Sequence, residues 1–328
     1  MITISGRLKQ EKIIEFCKSD PESEVNFLIN SPLIELIAQA DKIRRERAGS
    51  ELDLCSIYNA KSGLCGEDCK FCAQSSRYAT GIQIYPLKSK DEIIKSAESS
   101  KGIGAKRFGI VTSGNRLTKR EVDNIAEAIN GIKESVDIKI CASLGVLDKE
   151  ALKTLKDAGL SRYHHNIETS PHFYPKIVFT HKFQERIKTI ESAKESGLEV
   201  CAGGIIGMGE SWQDRIDMAC LLRDLNVDSI PVNILVPIKG TPLESLKPMS
   251  GSDAIRTIAI FRIILKDKTI KIAAGRETVL KDFQAMGFLA GANGMIIGGY
   301  LTLKGRELED DYKLIEEIEK LWGKQEFF

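Results

Sequence analysis

A closed α/β barrel of eight βα units, a TIM-type (β/α)8 fold, is what this sequence predicts, and three observations carry the expectation. Eight short apolar runs lie near 52–58, 107–111, 138–142, 161–167, 198–203, 229–235, 270–274 and 294–297. Most gaps between them hold a 3.6-residue apolar pattern, at 119–132, 149–158, 183–196, 212–225 and 252–265. Regular βα alternation implies a parallel sheet, and eight repeats favour closure over a doubly wound sheet. The length, 328 residues, suits one barrel of about 250 residues with extensions. We expect an N-terminal helical extension over 1–50, the barrel over 51–305 and a C-terminal helix within 306–328. No linker and no second domain is read.

In the extension, 7–17 is one candidate helix. A second, over 31–47, has Ser31 as N-cap, Pro32 at the first helical position, and Leu33, Leu36, Ile37 and Ala40 on one face. The run Arg44-Arg45-Glu46-Arg47 reads as its solvated end. Residues 310–322 read as a polar, charged helix.

Composition narrows the function. Lys plus Arg (47) nearly balances Asp plus Glu (46), so charge gives no reason to expect nucleic acid or an anionic membrane as partner. No apolar run reaches the roughly 18 residues of a membrane span, and the start lacks signal-peptide features. The expected setting is the cytoplasm. There, eight cysteines point to metal binding or catalysis rather than disulfides.

The loop after the first run contains Cys65-Gly66-Glu67-Asp68-Cys69-Lys70-Phe71-Cys72, a C-x3-C-x2-C spacing. Three nearby thiolates can each take a different iron of one cubane cluster. Such a cluster ordinarily takes four cysteines, so three leave one iron open to a ligand. Zinc would want a fourth Cys or His nearby, and none lies between Cys72 and Cys141. The aromatic residue before the third cysteine, Phe71, also matches the radical S-adenosylmethionine motif. In enzymes of that superfamily the open iron of a [4Fe–4S] cluster chelates S-adenosylmethionine.

A second set stands on odd strands: Cys55 on strand one, Cys141 on strand three, Cys201 on strand five, with Arg276 after strand seven. Barrel interiors take each layer from alternate strands, so these four are candidates to converge on the axis around a second cluster. A protonated guanidinium has no free lone pair, so Arg276 reads as a ligand or as a charge partner. Single buried cysteines act as small hydrophobes, and Cys17 and Cys220, in helical patterns, are read so. His164, His165, His172 and His181 are read as surface or packing residues. The glycine-rich 203–209 does not fit a dinucleotide fingerprint and reads as closely packed backbone.

From about Leu52 to Leu301 the chain resembles the biotin synthase family. The resemblance lies in Lys61-Ser62-Gly63-Leu64 with the cysteine loop, Tyr163-His164-His165-Asn166-Ile167-Glu168-Thr169-Ser170, Gly203 to Glu210, Asn233 with Lys239-Gly240-Thr241-Pro242-Leu243, and Ala274-Gly275-Arg276-Glu277. It implies radical conversion of dethiobiotin to biotin, with sulfur from an auxiliary cluster of [2Fe–2S] or four-iron type. By resemblance Cys65, Cys69 and Cys72 hold the [4Fe–4S] cluster, and Cys141, Cys201 and Arg276 the auxiliary one. Asn166, Glu168 and Arg186 look like S-adenosylmethionine contacts, with Asn166 shared with dethiobiotin. Asn233 resembles a contact to the ureido ring, for which a carboxamide offers matching donors and an acceptor; the alternative for it is a strand-end cap of the next turn. A flavodoxin or ferredoxin donor and a homodimer are implied.

Two departures stand out. The family's Arg-Phe-Cys run is Arg107-Phe108-Gly109 here, and Gly109 cannot ligate. Cys55 stands where the family has a hydroxyl residue, and is read as replacing the missing ligand. Glu168 replaces an Asp. The alternatives are a related radical enzyme, such as a hydrogenase-cofactor maturase or methylornithine synthase, and a non-catalytic iron–sulfur electron carrier.

Overall fold

The computed structural model describes residues 21–301 and 305–323; the candidate helix at 7–17, with Cys17, lies outside them. Eight strand positions form one parallel sheet: β1 (Asp53–Lys61), β2 (Arg107–Thr112), β3 (Lys139–Ser143), β4 (Arg162–His164), β5 (Glu199–Cys201, continued by Gly204–Ile206), β6 (Ser229–Ile234), β7 (Thr269–Ile272) and β8 (Gly294–Ile296). Each pairs with the next, and β8 pairs with β1, so the barrel closes. The expected fold is what forms.

Before the barrel come α1 (Pro21–Asn30) and α2 (Leu33–Ile43). The crossovers are α3 (Lys90–Gly102), α4 (Lys119–Ser135), α5 (Lys149–Ala158), α6 (Phe183–Glu195), α7 (Trp212–Asp224) and α8 (Gly251–Leu265). After β7 come the short α9 (Arg276–Val279) and α10 (Gln284–Leu289), and after β8 comes α11 (Leu308–Leu321). Their starts are written in local chemistry. Ser89, Thr118 and Ser211 each accept from the N–H three residues on, while Glu92, Glu121 and Asp214 reach back, a reciprocal cap. Asp148 caps α5 alone. The apolar faces of these helices close over the sheet in one continuous core.

Two readings of the extension change. Ser31 does not cap α2: its hydroxyl donates to the Phe27 carbonyl at 2.7 Å, closing α1, and Pro32 is the N-cap, with no side-chain bond. Arg44 is not a solvated end. It is fully buried within a π-helical turn (Arg44–Ala48). Its guanidinium donates to Asp41 at 2.7 Å and to the Gly49 carbonyl at 2.8 Å, and lies 3.9 Å over the Trp322 ring. Arg45 beside it is exposed, as expected.

Arg276 also has a structural place. It is buried at the start of α9, and donates to Gln284 and to both oxygens of Asp311 at 2.9 and 2.7 Å, fastening α11 to the barrel. Removing one partner of a buried ion pair strands the other charge, at a cost of about 3–5 kcal/mol. Asp311→Ala is therefore expected to lower unfolding free energy by about that amount in urea titration; a loss below about 1 kcal/mol would contradict this placement.

Candidate functional site

Strand alternation decides what enters the barrel. On β1 the inward residues are Cys55 and Ile57, on β2 Arg107 and Gly109, on β3 Cys141 and Ser143. On β4 they are Arg162 and His164, on β5 Cys201, on β6 Pro231 and Asn233, on β7 Lys271. All line one cavity of about 450 Å³ that opens at the C-terminal strand ends. The three loop cysteines, Cys65, Cys69 and Cys72, line the same cavity at its mouth.

The cysteine loop is held by its backbone. Cys65 N–H donates to the Gln74 carbonyl at 3.0 Å, and the Cys65 carbonyl accepts from Ser76 N–H at 2.7 Å. Gln74 is buried and its amide oxygen accepts from Gly63 N–H at 2.8 Å. Asp68 accepts from the N–H groups of Phe179 and Thr180 at 2.9 and 3.1 Å, and Lys70 N–H donates to the Ile177 carbonyl at 3.0 Å. Cys69 packs among Phe173, Tyr174, Ile177 and Val178. Burial pushes the Cys72 thiol up to about 11 and raises Cys69 as well. Without a positive centre, both stay protonated near neutral pH.

Among the described residues, no three His, Cys, Asp or Glu side chains gather tightly enough for a single metal ion. A donor set of three thiols on one short loop at the mouth of the cavity fits an iron–sulfur cluster with one iron left open.

Deeper in the barrel, Cys55, Cys141 and Cys201 line the cavity floor with Lys271. The Lys271 ammonium donates to the Cys55 sulfur at 2.6 Å and pairs with Asp53 at 3.1 Å. Burial opposes charge on Lys271, but Cys55, Asp53 and Cys201 outweigh it and raise its pKa. Burial pushes Cys141 up to about 12 and raises Cys55 too, against the pull of Lys271. Burial also works against a Cys201 thiolate, yet His164, Lys271 and Arg162 bring it down to about 6. Below lies an ionic layer. Asp53 meets Arg162 at 3.3 Å and Arg107 at 3.5 Å, and Glu199 meets Arg162 at 2.7 Å and Arg107 at 3.1 Å. One Arg107 terminal nitrogen, Nη1, is buried with no partner.

The structure thus brings together three of the four residues expected on the axis. Arg276 is not among them, because the network with Gln284 and Asp311 holds it outside the cavity; Lys271 occupies β7 instead. Gly109 lies within β2 facing Ile57, and a Cβ there would stand 3.1 Å from the Ile57 Cγ2. Lys271, Arg107 and Arg162 were not singled out from sequence. Their signal was present: a cation flanked by outward apolar residues in a buried strand, as in Ile270-Lys271-Ile272.

At the rim of β4, Glu168 is buried with φ +69°, a conformation costly for a non-glycine. Arg186 pairs with it at 3.3 Å, and donates to the Asn166 carbonyl and the Tyr174 hydroxyl, each at 2.9 Å. Asn166 accepts from Gly203 N–H at 3.1 Å. Asn233 donates to the Gly204 carbonyl at 3.1 Å and accepts from Ala274 N–H at 3.2 Å. It does the bridging work of a cap, while one N–H and one lone pair remain for a ligand. Glu168, Asn166, Arg186 and Asn233 all line the cavity.

The histidines are less peripheral than expected. His172 is exposed and pairs with Asp214 at 3.2 Å. His181 is buried between Glu67 at 2.8 Å and Arg186 at 3.0 Å, linking the cysteine loop to the Glu168 pair. His164 and His165 line the cavity. Burial and Arg186 hold His165 well below its usual pKa, and its Nε2 has no partner. Cys220 packs against the core from α7, but it is disulfide-bonded, which corrects its reading as a reduced, merely hydrophobic cysteine.

The comparisons agree with this geometry. Residues 61–222 match the model of the radical SAM superfamily, and residues 231–319 that of the Biotin and Thiamin Synthesis associated domain. Among solved structures, methylornithine synthase superposes with TM-score 0.74 at 20% identity, covering 96% of this chain and 93% of that one. The FeFe-hydrogenase maturase HydG from Carboxydothermus hydrogenoformans gives TM-score 0.78 at 18% identity, covering 94% and 77%. At those identities the likeness concerns the fold. Barrel, loop and superfamily match define a radical S-adenosylmethionine enzyme, with a [4Fe–4S] cluster and S-adenosylmethionine as the family's cofactors. Biotin synthase of Thermotoga petrophila is 55% identical over 288 residues, 88% of this chain and 95% of its own. That of Thermotoga neapolitana is 57% identical over 275 residues, covering 84% and 98%. The chain belongs to the biotin synthase family. No helix among the described residues is long and apolar enough to cross a membrane.

Backbone packing beside Glu168 yields a test. A Cβ on Gly204 would stand 2.4 Å from the Glu168 carbonyl oxygen, whereas one on Gly66 meets nothing within 4 Å. Gly204→Ala is expected to cost about 2 kcal/mol or more in urea melts, and Gly66→Ala less than about 0.5 kcal/mol; equal costs would refute the packing described.

Proposed function

We propose that this chain inserts sulfur into dethiobiotin to give biotin, and that Cys55, Cys141 and Cys201 hold the auxiliary iron–sulfur cluster that is the sulfur source. The observation that carries the reading is one cavity with three thiols at its mouth and three on its floor, in a chain of this family. When bound, the [4Fe–4S] cluster and S-adenosylmethionine supply a 5′-deoxyadenosyl radical, and the auxiliary cluster supplies sulfur.

The chain's residues bind, orient and shield. Cys65, Cys69 and Cys72 hold the first cluster and leave one iron open to S-adenosylmethionine. Glu168 accepts from ribose hydroxyls; Arg186 and Asn166, locked together, fix the height of that carboxylate. Asn166 and the free donor and acceptor of Asn233 meet the ureido ring of dethiobiotin. On the floor, Cys55 stands in for the cysteine absent at Gly109, and Lys271 balances its charge. The auxiliary cluster is of [2Fe–2S] or four-iron type. Arg276 belongs to the α11 anchor and not to this ligand set. A low-potential flavodoxin or ferredoxin supplies the electron, the chain pairs as a homodimer, and the six free thiols that line the cavity suit the cytoplasm.

Anaerobically reconstituted protein, given dethiobiotin, S-adenosylmethionine and a reductant, is expected to release biotin detectable by mass spectrometry. Cys55→Ala should keep about four irons of the first cluster and still form 5′-deoxyadenosine. It should lose the auxiliary iron in Mössbauer spectra and make no biotin. A Cys55→Ala protein with its full auxiliary cluster would remove Cys55 from the ligand set.

Glu168→Ala removes a charged acceptor worth about 1.5–3 kcal/mol. S-adenosylmethionine affinity of the reconstituted protein should fall roughly 10- to 150-fold by calorimetry; unchanged affinity would show that Glu168 does not touch it.

A further inference from the structure

His181 stands two residues before α6 and is 7% exposed. Both of its ring nitrogens are engaged with charged groups. Nδ1 lies 2.8 Å from a carboxylate oxygen of Glu67, and Nε2 lies 3.0 Å from Nη2 of Arg186. The ring packs edge-on against Tyr174, with centroids 6.0 Å apart.

These partners fix the state of the imidazole. A guanidinium offers only N–H donors, so Nε2 accepts from Arg186 and carries no proton. A carboxylate accepts, so the ring proton sits on Nδ1 and points at Glu67. His181 is therefore a neutral imidazole in a single tautomer, a donor on one side and an acceptor on the other. An imidazolium would set its second N–H against the guanidinium.

Arg186 is engaged on every nitrogen. Nε donates to the Tyr174 hydroxyl and Nη1 to the Asn166 carbonyl, each at 2.9 Å. Nη1 also faces Glu168 at 3.3 Å, and Nη2 has His181. Asn166, Glu168 and Tyr174 all belong to the segment that follows β4. Through His181 the guanidinium reaches a different element, because Glu67 lies between Cys65 and Cys69.

Contacts thus run without a break from the cysteine loop through Glu67, His181 and Arg186 to Glu168. The two ends of this chain are the two places where S-adenosylmethionine is held in the reading above: the open iron of the loop cluster, and the carboxylate that takes the ribose hydroxyls. A ligand held at both ends gains its second contact cheaply only when the two anchors already keep the spacing it spans. We propose that His181 is the positioning residue that sets this spacing, acting on S-adenosylmethionine through Glu67 and Arg186. No bond is made or broken in this role. The proposal rests on the assignment of Glu168 to S-adenosylmethionine.

The test uses anaerobically reconstituted holoenzyme as wild type, His181→Gln, His181→Phe and Glu168→Ala. Gln keeps a donor and an acceptor on its amide, whereas Phe keeps a ring beside Tyr174 and has neither. Each protein is scored for iron content, for S-adenosylmethionine affinity per loaded cluster by calorimetry, and for the change that S-adenosylmethionine makes in the EPR spectrum of the reduced loop cluster. His181→Phe should load iron as wild type does, bind S-adenosylmethionine roughly tenfold more weakly or worse, and give an altered spectrum of the complex. His181→Gln should recover most of the affinity and the wild-type spectrum. If His181→Phe does not load, Glu67→Ala takes its place, since it removes the other end of the bridge at a side chain that is partly exposed, and the same loss is expected. Wild-type affinity in the loaded variant overturns the proposal. An equal loss in His181→Gln and His181→Phe also overturns it, because the effect would then follow the shape of the ring and not its hydrogen bonds. A loss in Glu168→Ala alone removes His181 from the role and leaves the site reading standing; wild-type affinity in Glu168→Ala as well removes the site reading itself.

Discussion

One buried carboxylate organises the interior of this barrel. Asp53, at the start of β1, faces Lys271, Arg162 and Arg107 at 3.1, 3.3 and 3.5 Å. Burial alone would raise its pKa; the three cations together hold it below its usual value. Each cation in turn needs an anion, because an unpaired buried charge costs several kcal/mol. Glu199 shares the two arginines, so three positive and two negative groups fill the floor. The surplus positive charge faces upward, toward Cys55, Cys141 and Cys201. A barrel core is ordinarily packed with branched apolar side chains. Here the floor instead forgoes apolar packing for a cationic seat beneath three sulfurs.

The rest of the architecture serves the two ends of that cavity. Close backbone contact at Gly203 and Gly204, where a Cβ would meet the Pro231 and Glu168 carbonyl oxygens at 2.1 and 2.4 Å, draws β5 against its neighbours. That contact fixes the turn that gives Glu168 its left-handed backbone. His181 then couples the Glu168–Arg186 pair to Glu67 of the cysteine loop. Outside, Arg276 with Asp311 and Arg44 with Trp322 fasten the terminal elements to the barrel wall.

Much of this was legible from residue order. The apolar runs found strands within a few residues, and Ser89, Thr118, Asp148 and Ser211 mark helix starts by chemistry that acts locally. The C-x3-C-x2-C loop was legible because one short segment carries all its ligands. What sequence did not reveal depends on which way a side chain faces and on what it meets far along the chain. Arg276 follows a strand end, where alternation no longer assigns a direction, and its partners Gln284 and Asp311 come from later helices. Lys271 sits inside a strand where alternation does assign one, between Ile270 and Ile272, and could have been read as inward. The burial of Arg44 was invisible because Trp322 comes from the other end of the chain. His181 and His164 looked idle because Glu67 and Cys201, which they meet, are distant in sequence.

The central claim is that the sulfur of the product comes from a cluster held on the barrel floor. The direct measurement is a single turnover with protein whose clusters were built from 34S-sulfide and then freed of excess sulfide. The account predicts biotin carrying 34S, formed with loss of the auxiliary cluster's absorbance. Biotin carrying sulfur of natural abundance from such protein would contradict it, and would move the sulfur source out of the barrel.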